Sequence, residues 1–260
     1  AHTGGLRSLT WNADGSKFVS AGWDKTAIVW DAAAGTIEKQ LLVYRDTSQN
    51  SVQPIHCAEW SPDGKHLATC GHAIPVVVWN ADTLDMQAQL EDVAPICNEV
   101  DWHPSGAWLA IAGNDGVIRI WNPWTGQVRN SLVAHESRVR SVAVSPSGDR
   151  LASASADGTV IIWNFDTGEI LHKLRDHVAG VLKVKWHPDG KQLASTSDDT
   201  TLRIWNAEYG AQTLKINTHT GRTEGLSWDP KGRRIAAASW DGTIRIFDAR
   251  LGYERSGMAE

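Results

Sequence analysis

The chain has few cysteines, and those present form no recognisable set. Cys57, Cys70 and Cys97 are the only three in 260 residues, and their spacing fits neither a zinc site nor an even set of disulfides. We therefore predict a reducing compartment and a cytoplasmic location. Cys57 and Cys70 are placed to approach each other within one repeat, and we interpret them as buried free thiols.

Long hydrophobic runs and an excess of positive charge are also absent. No stretch of about 18 apolar residues occurs, which argues against a transmembrane helix and a membrane partner. The N-terminal AHTGGLRSL lacks the basic and apolar regions of a secretion signal. The formal net charge of −5 disfavours a general nucleic-acid binder. Because residue 1 is not Met, we expect a module of a larger protein or complex.

The motifs of common metal and cofactor enzymes are missing as well. The sequence contains no HExxH, no CxxC, no GxxxxGK[ST] and no GxGxxG before a helix. We therefore predict no catalytic residues, no cofactor, no metal site and no enzymatic activity.

What is present is a repeat that ends each time on an aromatic residue. The terminal aromatic residues are Trp30, Trp79, Trp121, Trp163, Trp205 and Phe247. They are 42 residues apart from Trp79 onward, and the first interval is seven residues longer. A second ladder, mostly Trp, lies 19 residues before each of them and is followed by a turn rich in Asp, Pro and Gly. This repeat accounts for most of the 14 tryptophans of the chain.

Each unit has the pattern of four short β-strands. In the fourth unit we predict strands at 139–144, 150–155, 159–163 and 169–174, because β-branched residues recur there between turn signals. A single four-stranded sheet cannot bury both of its faces. Radial stacking of such units buries the faces against one another and leaves only short edges.

Six copies of this pattern, ending in Trp-Asp or mostly Trp-Asn, resemble the WD40 repeat family. The resemblance implies an all-β fold, a WD40 β-propeller with six four-stranded blades in this chain or seven in a longer parent. We expect a single domain over residues 1–260, with blades at about 1–43, 44–90, 91–134, 135–176, 177–218 and 219–260. Because no N-terminal strand is left to complete the last blade, we expect the ring to close by packing alone.

The resemblance also implies a structural role for a repeated polar set. Three units carry His, Ser, Asp and Trp at the positions of the family's structural tetrad, which forms a buried hydrogen-bond chain. The three sets are His2, Ser20, Asp24 and Trp30; His135, Ser153, Asp157 and Trp163; and His177, Ser195, Asp199 and Trp205. A hydrolase triad is the alternative, but a triad is built once, with an exposed serine beside an oxyanion site.

The other three units depart from this set. The second lacks His and Asp, the third lacks His, and the sixth lacks Ser and Trp. Ser51 and Ala73 replace them in the second unit, Val93 in the third, and Ala237 and Phe247 in the sixth. Pro75 predicts an irregular edge near the third strand of the second unit. We expect apolar packing to be the main stabilising interaction in these three blades.

The resemblance places partner binding on the narrow face around the central channel. Carried over by register, the candidate residues are Arg7, Trp23, His56, His72, Asn98, Asn114, Arg138, Arg140, Leu182, Asp198, Arg222, Glu224 and Trp240. Trp23 and Trp240 occupy a turn position where the other units have small or polar residues, and Trp and Arg are typical of binding hot spots. If the ring closes, these two tryptophans lie on neighbouring blades.

The charge of this candidate face favours an acidic or phosphorylated peptide. Four arginines stand against Asp198 and Glu224, a net charge of +2 on a protein of −5. We predict a non-enzymatic scaffold or sensor that binds a protein or peptide segment. The alternative is a nucleic-acid-binding propeller that uses the same basic, aromatic rim; it requires a stronger positive field.

Overall fold

The computed structural model describes residues 1–42, 54–90, 96–217 and 219–249. Every regular element in these ranges is a β-strand, and the strands form six antiparallel sheets, so the predicted all-β class is confirmed. None of the described residues belongs to a helix long and apolar enough to cross a membrane. The chain separates into two compact units, Ala1–Val133 and Ala134–Glu260. The single ring over residues 1–260 and its blade limits stay predictions.

Unit 1 contains three four-stranded sheets, each a meander of strands in chain order. Sheet 1 consists of β1 (Leu6–Trp11), β2 (Lys17–Gly22), β3 (Thr26–Asp31) and β4 (Thr36–Leu42). Sheet 2 consists of β5 (Ile55–Trp60), β6 (His66–Gly71), β7 (Ile74–Asn80) and β8 (Met86–Leu90). Sheet 3 consists of β9 (Cys97–Trp102), β10 (Leu109–Gly113), β11 (Val117–Trp121) and β12 (Val128–Val133).

Unit 2 repeats this arrangement. Sheet 4 consists of β13 (Val139–Val144), β14 (Arg150–Ser155), β15 (Val160–Asn164) and β16 (Ile170–Leu174). Sheet 5 consists of β17 (Val181–Trp186), β18 (Gln192–Ser197), β19 (Thr201–Asn206) and β20 (Ala211–Asn217). Sheet 6 has β21 (Thr223–Trp228), β22 (Arg234–Ser239) and β23 (Ile244–Asp248). The fourth strand predicted for this last unit falls outside the described residues.

Sheet 4 shows how the local sequence determines the strands. β13 and β14 have the predicted limits, and β15 and β16 each begin one residue later than predicted. Between β13 and β14 the N–H of Gly148 donates to Ser145 O at 2.9 Å, with a φ of 80° at Gly148 that favours glycine. Asp149 Oδ1 accepts the Ser145 hydroxyl at 2.9 Å, so side chains also hold this turn.

The core of each unit lies between the faces of consecutive sheets. Val160 and Ile162 of sheet 4 pack with Val181 and Val184 of sheet 5, and all four are fully buried. Similar clusters join sheets 5 and 6, sheets 1 and 2, and sheets 2 and 3. Burying one such side chain contributes about 1.5–3 kcal/mol. The stacking of apolar faces predicted from the repeat is thus present within each unit.

Strand β1 differs from the first strands of the following sheets. Its Leu9 and Trp11 are 51% and 56% exposed, whereas their counterparts in sheet 2, Ala58 and Trp60, are buried. Trp11 instead contacts Phe18 of the same sheet, with ring centroids 5.2 Å apart. This outer face of sheet 1 therefore has the composition of a packing surface.

Two predictions about sheet 2 are confirmed. Cys57 and Cys70 stand opposite each other in the β5–β6 pair, and both are buried free thiols. Burial raises the pKa of the Cys70 thiol well above its usual range, which keeps it protonated. The β6–β7 pair is irregular around Pro75, with a shift of register between Thr69 and Gly71.

Candidate functional site

The repeated polar sets form closed hydrogen-bond chains in sheets 1, 4 and 5. In sheet 5, Trp205 Nε1 donates to Ser195 Oγ at 2.8 Å, and Ser195 Oγ lies 2.8 Å from His177 Nε2. His177 Nδ1 lies 2.8 Å from Asp199 Oδ2. The corresponding distances in sheets 1 and 4 are between 2.7 and 3.0 Å. The predicted order of contacts, Trp to Ser to His to Asp, is confirmed.

Burial determines the protonation of the histidines in the chains of sheets 4 and 5. It lowers the pKa of His135 and His177, although Asp157 and Asp199 act in the opposite direction. The neutral imidazole therefore carries its proton on Nδ1, which faces a carboxylate. Nε2 then accepts a hydrogen bond from the serine hydroxyl, and the serine oxygen accepts a hydrogen bond from the indole N–H.

A threonine that the sequence reasoning missed completes each chain. The Thr201 hydroxyl donates to Asp199 Oδ1 at 2.6 Å, and Thr159 makes the same bond to Asp157 at 2.7 Å. Burial by itself raises the pKa of Asp157 and Asp199, but the hydrogen bonds outweigh it and lower both to about 2. The signal was available: Thr follows the Asp by two residues in sheets 1, 4, 5 and 6, as Thr26, Thr159, Thr201 and Thr243.

The serines of these sets have the environment of structural groups. Ser153 and Ser195 are fully buried, and each hydroxyl contacts both an indole N–H and an imidazole nitrogen. A nucleophile needs access to substrate and an oxyanion site beside it. The chains therefore fix the second and third strands of each sheet to the segment preceding the first.

The sheets that depart from the set differ in how their polar groups are paired. In sheet 2, Trp79 Nε1 donates to Thr69 Oγ1 at 2.8 Å, so a threonine takes the place of serine. In sheet 3, the buried Trp121 Nε1 has no hydrogen-bond partner among the described residues. In sheet 6, His219 Nε2 lies 3.3 Å from the backbone oxygen of Ala237, so the chain is open as predicted. The predicted departures at Ser51 and Val93 lie outside the described residues.

In unit 2 the structure brings several candidate residues together. We call Arg138, Arg140, Leu182, Asp198, Arg222, Glu224 and Trp240 the rim of unit 2. Its centre is Arg222, whose Nε lies 3.2 Å from Asp198 Oδ1 and whose Nη2 lies 3.1 Å from Glu224 Oε1. The Arg222 guanidinium also lies over the Trp240 ring, 5.1 Å from its centroid, in a cation–π contact. Trp240 is 68% exposed, as its turn position predicted.

Arg138 and Arg140 extend this cluster with positive charge. Burial lowers the pKa of Arg140, and the neighbouring charges of Arg138 and Arg222 lower it further. Arg140 Nε is buried and has no hydrogen-bond partner among the described residues. Arg138 is exposed, whereas Leu182 is buried and contributes little surface.

In unit 1 the candidate residues contact the backbone of their own sheet or of the neighbouring one. Trp23 is 49% exposed, and its indole lies over the backbone of Gly5, where a Cβ would meet Trp23 Cδ1 at 3.4 Å. His56 Nδ1 lies 3.0 Å from Cys97 O and so links sheets 2 and 3. His72 forms a β-bridge with Ile96. The side chains of Arg7, His56, His72, Asn98 and Asn114 are all half-buried.

One exposed aromatic residue was missed by the sequence reasoning. Trp124, in the turn between β11 and β12, is 45% exposed and lines a cavity of about 390 Å³ between sheets 2 and 3. The corresponding positions in other units are Ala33, Asp82, Asp166 and Glu208. The comparison of repeat units that identified Trp23 and Trp240 would also have identified Trp124. Among the described residues, no cluster of His, Cys, Asp and Glu could hold a metal ion.

The antiparallel sheets, the tetrad chains and the 42-residue period together define a WD40 β-propeller. The family model described as WD domain, G-beta repeat matches residues 1–31 and 42–72. The model described as IFT122 first beta-propeller matches residues 97–257, which is more than half of the chain. The chain therefore belongs to the IFT122 first beta-propeller family, and the predicted WD40 fold is confirmed.

Individual proteins match shorter segments of the chain. It is 41% identical over 70 residues to Cilia- and flagella-associated protein 57 of Mus musculus, covering 27% of this chain and 5% of that protein. It is 31% identical over 92 residues to Protein HIRA of Dictyostelium discoideum, covering 33% and 8%. It is 31% identical over 90 residues to Probable cytosolic iron-sulfur protein assembly protein 1 of Kluyveromyces lactis, covering 32% and 26%. The matches thus span about a quarter or less of these relatives.

Proposed function

We propose that this chain is a non-enzymatic protein-interaction module that binds a peptide or protein segment at the rim of unit 2. The observation that carries the proposal is the exposed Trp240 held against Arg222, with Arg140 close to the positive charges of both Arg138 and Arg222. Exposed Trp and Arg side chains that are already ordered by neighbours lose little entropy on binding and are typical of hot spots.

The charges around Arg140 favour an acidic or phosphorylated segment. Arg222 is paired with Asp198 and Glu224, whereas Arg138 and Arg140 add positive charge beside it. A carboxylate or phosphate would reduce the repulsion among the guanidinium groups. We propose Arg138 and Arg140 as the residues that contact this anion.

The pairing of Arg222 argues against the nucleic-acid alternative. Two carboxylates stand within 3.2 Å of its guanidinium and reduce the positive field of the rim. Phosphate-backbone binding depends on several free cations and falls steeply with salt. Binding that stays within about threefold between 50 and 200 mM salt supports the peptide proposal, because a nucleic-acid site with several phosphate contacts would lose far more.

Unit 1 carries its own candidate contacts, which we propose as further binding positions. They are Arg7, Trp23, His56, His72, Asn98 and Asn114. The names of the matched relatives come from different settings, cilia and flagella in one case and iron–sulfur protein assembly in another. A fold shared across such settings supports a binding module, and the partner must be established for this chain itself. The buried free thiols support a cytoplasmic location, which stays a prediction.

A peptide-binding experiment tests the rim. Labelled peptides of one length, each in phosphoserine, glutamate and serine forms, are titrated with the protein and followed by fluorescence polarisation. We expect the phosphoserine form of at least one peptide to bind about tenfold tighter than the serine form. Arg138→Glu should abolish that preference, and Trp240→Ala should weaken binding about tenfold.

The matched control is Tyr209→Ala. Tyr209 is 71% exposed and lies in the β19–β20 turn, at the other end of the strands from the turns that carry Asp198 and Trp240. Its removal should leave binding unchanged. Equal binding by the native protein, Arg138→Glu and Trp240→Ala would contradict the proposed site.

The non-enzymatic part of the proposal has a separate test. A serine-reactive fluorophosphonate should not label Ser20, Ser153 or Ser195, because these hydroxyls are buried and hydrogen-bonded. Labelling of one of them in the folded protein would revive the hydrolase alternative.

A further inference from the structure

The cavity between sheets 2 and 3 belongs to unit 1 and is lined mainly by two turns and one exposed tryptophan. Its walls include Pro62, Asp63, His66, Pro104, Gly106 and Trp124. All of them except His66, the first residue of β6, belong to the β5–β6, β9–β10 and β11–β12 turns, which lie at the opposite end of the strands from His72 and Asn114. The cavity is therefore independent of the candidate positions already described.

Sheets 4 and 5 have an arginine at the corresponding place. Arg150, the counterpart of His66, lies over the Trp186 ring at 4.9 Å from its centroid. Its Nη2 donates to Gly190 O at 2.8 Å, and Gly190 is the counterpart of Gly106. Between sheets 5 and 6 the same carbonyl position, Gly232 O, is contacted by His187 Nε2 at 3.0 Å.

Between sheets 2 and 3 the corresponding carbonyl, that of Gly106, has a different hydrogen-bond donor, and space is left beside it. Gly106 O accepts the indole N–H of Trp124 at 2.9 Å, so the donor comes from sheet 3 itself. A Cβ placed on Gly106 would meet nothing within 4 Å, whereas one on Gly232 would meet His187 at 1.9 Å. The shorter His66 reaches only the edge of Trp124, with ring centroids 4.7 Å apart. The place that Arg150 and His187 occupy between the sheets of unit 2 is thus a cavity between sheets 2 and 3.

The walls of this cavity suit a planar cation on an aliphatic chain. Trp124 has a fixed orientation, because its indole donates to Gly106 O and its ring stacks on Trp102 with centroids 6.3 Å apart. Asp63 supplies the negative charge: its Oδ1 accepts the Ser61 hydroxyl at 2.6 Å and the Lys65 N–H at 3.0 Å. These bonds outweigh burial and lower the pKa of Asp63, so the carboxylate is ionised at neutral pH.

Elsewhere this chain uses guanidinium groups to cover tryptophan rings. Arg129 lies 5.1 Å from the Trp108 centroid, and Arg150 and Arg222 make the same contact with Trp186 and Trp240. We propose that the sheet 2–3 cavity binds an arginine side chain of a partner peptide. The guanidinium stacks on Trp124 and pairs with Asp63, and the aliphatic stem lies against Pro62 and Pro104.

The test follows the indole N–H resonance of Trp124 in ¹⁵N-labelled protein, assigned by its absence in Trp124→Phe. The probes are the blocked peptides Gly-Gly-Xaa-Gly-Gly, with arginine, citrulline or lysine at Xaa. We expect the arginine peptide to shift this resonance saturably. The neutral citrulline peptide should bind at least tenfold more weakly, and the lysine peptide about fivefold more weakly because an ammonium does not stack.

Two variants and one control complete the test. Trp124→Ala is followed through the backbone amide of Gly106 and should abolish binding; Asp63→Asn should weaken it about tenfold. Both side chains are about half exposed, so we expect both variants to fold, as thermal unfolding would verify. Trp240→Ala, on the rim of unit 2, should leave binding unchanged. Equal binding of arginine and citrulline, full binding by Asp63→Asn, or no shift at about 10 mM arginine peptide would overturn the proposal.

Discussion

Sheets 5 and 6 share a packed face but differ in their polar interiors. Both bury apolar residues such as Leu202 and Ile235 in one cluster. Sheet 5 adds a closed chain from Trp205 to Asp199, whereas sheet 6 has Phe247 and Ala237 in place of the indole and the hydroxyl. Sheet 6 keeps the contact of His219 Nδ1 with Asp241 Oδ2 at 3.2 Å, so its three described strands form with only the indole and hydroxyl links of the chain missing. We expect the closed chain of sheet 5 to add stability and to fix its geometry.

A comparison of the repeats also separates structural residues from candidate binding residues. Positions that repeat among the units, such as Ser195 and its counterparts, are buried and hydrogen-bonded. Positions where one unit departs toward a large aromatic residue, namely Trp23, Trp124 and Trp240, are half-exposed or more. The departures toward apolar or small residues at the tetrad positions of sheet 6, Ala237 and Phe247, are buried and present no new surface.

The largest loss of stability is expected from breaking the closed hydrogen-bond chain of sheet 5. Ser195→Ala removes the hydroxyl that contacts Trp205 Nε1 and His177 Nε2, and it leaves two buried polar groups unpaired. We expect a loss of about 3 kcal/mol in the free energy of unfolding, measured with urea. The exposed Ser227→Ala in sheet 6 is the control and should change stability by less than about 0.5 kcal/mol. Equal effects of the two substitutions would contradict a structural role for the chain.

Acid should weaken the closed chains in two steps. Because His135 and His177 have lowered pKa values when folded, the unfolded state binds more protons as the pH falls below about 6.5, and stability decreases there. Asp157 and Asp199 have pKa values of about 2 when folded, so their contribution is present above about pH 4 and lost between about pH 4 and 2.

Each carboxylate should contribute about 2 kcal/mol to this second step. Urea unfolding at pH values from 7.5 to 2.5 measures both steps. The variant His177→Gln should show a smaller loss between pH 7 and 5.5 than the native protein does. Stability that rises on acidification over that first range would contradict the assigned neutral imidazoles.

A smaller effect, an increase in stability, is expected when part of the hydrogen-bond chain is built in sheet 6. Ala237→Ser places a hydroxyl near His219 Nε2, which now faces a backbone oxygen at 3.3 Å. Since Phe247 has no N–H to donate, the hydroxyl gains one partner only, and we expect a stabilisation of about 0.5 kcal/mol. Ala237→Cys, of similar size but a weak donor, should not stabilise. A destabilising Ala237→Ser would show that sheet 6 has no room for the chain.

The sequence predicted the repeating parts of the molecule well, because they depend on local signals. The limits of β13 and β14 follow from β-branched residues between turns, and the tetrads follow from fixed offsets. The role of Thr201 in the chain was not predicted, because a threonine at the start of a strand is expected from its β propensity alone. The pairing of Arg222 with Asp198 joins two sheets, and register alone does not specify such side-chain contacts. The cavity beside Trp124 likewise depends on two sheets together.

The most direct test measures stability and binding together in two variants, with the tightest phosphopeptide as the probe. Ser195→Ala should lose about 3 kcal/mol of stability but keep the native Kd within about twofold below its unfolding range. Trp240→Ala should keep its stability within about 0.5 kcal/mol but raise the Kd about tenfold. This crossed result would show that repeated residues support the fold and copy-specific residues bind the partner. Unchanged binding by Trp240→Ala, or a tenfold loss of binding by folded Ser195→Ala, would contradict that division.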